Sequence, residues 1–61
     1  MKEDYLAAYE FYKRQYPNSV ILFHIDNGYY AFESDAFVVA DIDGFSVLYS
    51  REEGYHWYDF H

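Results

Sequence analysis

One residue in four of this chain carries an aromatic ring: nine Tyr, six Phe and Trp57 stand among 61 residues, while Val, Ile and Leu together number ten. No cysteine is present, so neither a disulfide framework nor a thiolate metal site can staple the fold. A chain this short buries only about 60% of its unfolded surface, so its core has to be assembled from the rings. Two cores could not be filled, and residues 1–61 are read as one module. Leu, Ile, Val and Phe at 16 of 61 residues, despite a net charge of −7, place the chain with folded sequences rather than disordered ones.

Charge narrows the partners. Eleven acids face Lys2, Lys13, Arg14 and Arg51, and no Lys or Arg falls between Gln15 and Ser50. Nonspecific phosphate binding is disfavoured. No apolar run approaches the length needed to span a bilayer, Val20 to Phe23 being only a strand's worth, and Met1-Lys2-Glu3-Asp4 does not read as a signal peptide. No membrane role is expected, and a reducing, cytoplasmic setting fits best.

From Glu3 to Tyr16, Tyr5, Tyr9, Tyr12 and Tyr16 recur in steps of four, three and four. That spacing predicts an amphipathic helix with a tyrosine stripe beside Ala8. Acids open it, Lys13 and Arg14 close it in accord with the helix dipole, and Pro17 stops it. Glu10 can pair with Lys13 or Arg14 at helical spacing. Val20 to Ile25 is β-branched and almost wholly apolar, which predicts a central strand covered on both faces. Asp26-Asn27-Gly28 predicts a tight hairpin, with Asn-Gly supplying the positive φ of a type I′ turn, and Tyr29 to Glu33 a returning strand. Ser34 or Asp35 can cap a helix of about two turns through Ala36, Val39, Ala40 and Ile42, ended by Gly44. Phe45 to Ser50 and Tyr55 to Phe60 then form a second hairpin around Arg51-Glu52-Glu53-Gly54. The expected architecture is α+β, a small mixed sheet with flanking helices in the order α-β-β-α-β-β.

Chemical motifs are sparse. His56, Asp59 and His61, with His24 in space, could be metal ligands of a small metallohydrolase, but on a strand His56 and Asp59 point to opposite faces. Asp41-Ile42-Asp43-Gly44 resembles the opening of a calcium loop without its later ligands. Asp26, Asp41 and Asp43 are explained by turns and helix ends, and no nucleophile elbow or glycine-rich phosphate loop is present. The chain is expected to be neither an enzyme nor a cofactor binder.

From Tyr9 onward the residue order resembles the N-terminal mismatch-recognition domain of the MutS family. Tyr9-x-x-Tyr12-Lys13-x-x-x-Pro17 precedes the apolar Val20 to Phe23, and Gly28-Tyr29-Tyr30-x-Phe32-x-x-Asp35-Ala36 follows. The family has Tyr-x-x-Leu-Lys-x-x-x-Pro, an apolar strand, then Gly-Asp-Phe-Tyr-Glu-Leu-Phe-x-x-Asp-Ala. The likeness runs without a gap over roughly residues 9 to 51, through Ile42 and Phe45-Ser46-Val47. It implies a small sheet flanked by helices. It also implies a DNA-probing hairpin, in which a Phe wedges beside a mispaired base and a Glu bonds that base. Gly28 and Tyr30 occupy those two positions, and His24 stands where the family usually has Arg. The chain is therefore expected to be a free-standing relative of the scaffold that has lost the mismatch device. Its ATPase, clamp and dimerisation parts have no counterpart in these residues.

The leading expectation is a non-catalytic interaction module whose partner is a protein or a second copy of itself. Tyr29 and Tyr30 at the hairpin, with Tyr55, Trp57 and Tyr58 on the last strand, would supply exposed rings. The alternative is an accessory DNA-binding domain with weak affinity for distorted or single-stranded DNA through Lys13, Arg14, Tyr29 and Tyr30.

Overall fold

A computed structural model describes residues 2–61. Met1, and with it part of the leader expectation, lies outside the described residues, as does the side chain of the helix-opening Glu3. The element order is α1 (Lys2–Gln15), β1 (Phe23–Ile25), β2 (Gly28–Phe32), α2 (Glu33–Asp43), β3 (Leu48–Ser50) and β4 (Tyr55–Phe60). This is the expected α+β order. The strands form a single sheet in the spatial order β1-β2-β4-β3, with all three pairings antiparallel.

Because facing residues in an antiparallel pair share a side of the sheet, the registers Phe23–Tyr30 and Phe32–Trp57 put those rings on one face. There α1 lays Tyr5, Leu6 and Tyr9 against Phe23, Phe32 and Tyr55. Phe32 is the hub, in ring contact with Tyr9, Phe23, Tyr30 and Tyr55 at centroid distances of 6.4, 5.6, 6.5 and 6.0 Å. The opposite face is built from three small residues, Ala31 of β2 and Ala36 and Ala40 of α2, packed with Tyr58 of β4. Alanines let the α2 backbone approach the sheet closely, whereas the rings beneath α1 hold that helix at a distance. Helices thus cover both faces.

Several expectations are corrected. The apolar run does not form a central strand. Only Phe23–Ile25 pairs, at the sheet's edge, and Val20 and Leu22 are exposed. The Ile21 N–H is held instead by a carboxylate oxygen of Asp35 at 2.9 Å. The helix stripe also shifts: Tyr9 is buried, but Tyr12 and Tyr16 are 45% and 56% exposed. Lys13 takes the inward position one turn after Tyr9 and pairs with Asp35 at 2.8 Å rather than with Glu10. Pro17 ends the helix where expected.

The hairpin loop is Asp26-Asn27, closed by the Ile25–Gly28 pair, so the tight turn lies one residue earlier than Asn-Gly predicts. Asp26 takes the positive φ, at 55°. No loop separates β2 from α2. Glu33 adopts φ 51° to turn the chain directly from strand to helix, and its carboxylate accepts the His56 backbone N–H at 3.0 Å. A non-glycine residue there is strained and needs such surroundings to hold it. Helix α2 is three turns long rather than two, and neither Ser34 nor Asp35 caps it, since Phe32 is the N-cap and makes no side-chain bond. Ser34 meets the Tyr9 hydroxyl at 3.2 Å instead. Gly44 closes the helix with φ 81°, as expected, but Ile42 is 79% exposed rather than packed. Residues 45–47 stay outside β3, leaving Phe45 70% exposed.

Candidate functional site

The cationic pair expected to touch a partner divides. Lys13 places its ammonium between Asp35 Oδ1 at 2.8 Å and the Ser19 carbonyl at 2.6 Å, tying α1, the 17–21 connection and α2 together. Both contacts are internal. Arg14 remains at the surface, beside a shallow hollow of about 310 Å³ shared with Tyr9, Glu10 and Lys13.

The hairpin residues divide as well. Gly28 is buried, and a Cβ there would meet the His61 ring at 3.2 Å, so that the ring would have to give by a few tenths of an ångström, while the Phe60 carbonyl at 3.4 Å would be in ordinary contact. The His61 ring is held over it by Nδ1, 3.2 Å from the Asn27 carbonyl oxygen. Tyr29 and Tyr30 point to opposite faces, as adjacent strand residues must, so they form no joint platform. Tyr30 is half-buried with its ring beside Phe32. Tyr29 is exposed and stacks between His24 at 4.6 Å and Phe60 at 5.5 Å, a ladder of near-parallel rings across β1, β2 and β4.

On the last strand the expectation of exposed rings is corrected. Tyr55 and Tyr58 are buried and Trp57 is half-buried, because β4 lies inside the sheet between β2 and β3 rather than at an edge. His56 is packed between the rings of Phe37 and Tyr49 at 5.2 and 4.6 Å, on the face opposite Asp59. Among the described residues no three His, Cys, Asp or Glu side chains converge as a metal site. No helix of the described residues is long and apolar enough to cross a membrane.

What the sequence did not single out is a cleft of about 520 Å³ at the far end of β4. Phe45, Leu48 and Phe60 supply its apolar wall, and Asp43, Asp59 and His61 its polar rim. It exists because β4 is twice the length of its neighbour. The pairing with β3 stops at Leu48–Trp57, while β4 continues to Phe60. Through Phe60 the cleft joins the His24–Tyr29 ladder. No local signal marks it, since Phe45 and Leu48 read simply as strand residues.

The Tyr58 hydroxyl forms the floor's polar contact, donating to Asp43 Oδ2 at 2.8 Å. Burial, and then the adjoining carboxylates of Asp43 and Asp59, push the phenol above the usual 10.0. A raised folded-state pKa means the unfolded chain gives up this proton first. The contribution is therefore complete below pH 10.0 and is lost as pH climbs through the folded-state value. The stability gap between the wild type and Tyr58→Phe, read as urea midpoints, is expected to narrow above that pH. A gap that stays constant across the alkaline range would contradict this role for the phenol.

No protein-family model, curated protein or solved structure matches the chain.

Proposed function

We propose that the chain is a non-catalytic, cytoplasmic interaction module related to the MutS N-terminal scaffold, with a protein rather than duplex DNA as its partner. The observation that carries the reading is the uncovered, acid-rimmed apolar surface around Phe45, Leu48 and Phe60. Such a surface repels phosphates and suits a basic or apolar protein face. The positions equivalent to the family's probing device lend further support. Gly28, at the wedge position, is roofed by His61, and Tyr30, at the carboxylate position, packs its ring beside Phe32. Of the residues shared with the family, Lys13, Pro17, Phe32, Asp35 and Ala36 serve the scaffold, and Tyr29 is the one exposed on the hairpin.

The test is a titration with mismatched, matched and single-stranded oligonucleotides at about 50 mM salt, where electrostatic binding is strong. No saturable binding is expected up to about 100 μM, the weak end of nonspecific affinity. Sedimentation of the same sample reads self-association. Selective capture of a mismatched duplex would overturn the proposal, and equal capture of all three would restore the accessory DNA-binding alternative.

A further inference from the structure

Backbone polarity at the end of β4 gives the interaction surface a specific use. In an antiparallel sheet, alternate residues direct their N–H and C=O to alternate sides of the strand. The His56 N–H goes to Glu33, which follows directly on the last residue of β2, so His56, Tyr58 and Phe60 face the β2 side. Tyr55, Trp57 and Asp59 then face the β3 side. Ser50 and Leu48 stand opposite Tyr55 and Trp57, but the ladder ends before Asp59. The chain that could have continued it turns away: Phe45 N–H returns to the Ala40 carbonyl at 2.9 Å as part of the α2 C-terminal cap. The Asp59 N–H and C=O therefore open into the cleft walled by Phe45, Leu48 and Phe60.

We propose that this open edge accepts an extended peptide segment of a basic, apolar partner protein by strand addition beside Asp59. The inference rests on the module reading above and deepens it. Strand addition draws affinity from main-chain hydrogen bonds and selectivity from hollows that take alternate side chains. Here the apolar wall accepts one aliphatic side chain, and Asp43 and Asp59 on the rim favour Lys or Arg on either side of it. A second copy of this chain is a poor occupant, because it carries net charge −7 to an acidic rim.

The experiment is an amide NMR titration of the intact chain with the capped peptide Lys-Val-Lys-Val-Lys, alongside Glu-Val-Glu-Val-Glu and a Lys-Val-Lys-Val-Lys analogue with the central backbone nitrogen methylated. Saturable shifts centred on Ser46 to Leu48 and Asp59 are expected with the basic peptide. At least tenfold weaker binding is expected for both controls. Phe45→Ser, at a 70% exposed position that the fold does not depend on, is expected to weaken the basic peptide about tenfold with the rest of the spectrum unchanged. Equal binding of the methylated analogue, shifts centred on the exposed side of α2, or no shifts at all would overturn strand addition. If the chain still binds a protein through another face, the module reading survives while this inference fails.

Discussion

Asp35→Ala is expected to remove most of the stability of this domain, although the residue lies in no site. Asp35 is 3% exposed, and each carboxylate oxygen is committed, Oδ1 to the Lys13 ammonium at 2.8 Å and Oδ2 to the Ile21 N–H at 2.9 Å. Truncation leaves a partly buried ammonium with the Ser19 carbonyl as its remaining anchor and strands a backbone donor. Breaking a buried pair in this way costs about 3 kcal/mol, at the low end of the usual range because Lys13 keeps some access to water. A single core of this size supplies on the order of 3–5 kcal/mol in total. Urea denaturation should therefore show Asp35→Ala largely unfolded in buffer. The double variant Lys13→Met with Asp35→Leu should recover part of the loss, since it removes both charges at once. A fall of only a few tenths of a kcal/mol would show that the latch does not hold the two helices to the 17–21 connection.

That latch also explains which parts of the fold could be read from the sequence. Signals confined to a few neighbouring residues worked: Pro17 ending α1, Gly44 turning left-handed after α2, and the β4 span from Tyr55 to Phe60. Where a distant residue decides, local pattern misled. Val20 to Ile25 has the composition of a buried strand, but the partner for its Ile21 N–H comes from Asp35, fourteen residues later. The tyrosine spacing on α1 is helical, yet the inward place after Tyr9 goes to Lys13 because its counter-charge is on α2. Tyr55 and Tyr58 could not be known as buried until β4 was seen between β2 and β3. The candidate surface was the least legible feature, since it arises from a mismatch between the lengths of β3 and β4 rather than from any motif. Lys13 and Asp35 form the latch, and Phe32 and Ala36 lie in the two cores.

Phe32→Ala is the substitution with the largest expected effect. The side chain is fully buried at the centre of the α1 face, and its removal takes one partner from each of Tyr9, Phe23, Tyr30 and Tyr55. A buried Phe replaced by Ala loses about 3–5 kcal/mol through lost burial and the cavity left behind. The rings around it are large and stiff, and they are held by their own edge contacts, Tyr5 on Phe23 at 5.8 Å and Tyr55 on Trp57 at 5.9 Å. They cannot collapse far into the gap, so the upper part of the range is expected and the variant should not fold in buffer. Phe32→Leu keeps most of the volume and should lose about 1–2 kcal/mol, leaving a folded domain. In that variant the near-ultraviolet circular dichroism of the packed tyrosines and Trp57 should weaken more than the helical signal. The opposite face, where α2 meets Ala31 and Tyr58, does not share the missing ring. The cleft beside Phe60 is therefore expected to survive Phe32→Leu, and the amides of Ser46 to Leu48 should keep their wild-type positions. If those amides move as far as the ones on α1, the two faces of the sheet are not separable cores, and an aromatic sheet of this size behaves as one cooperative unit.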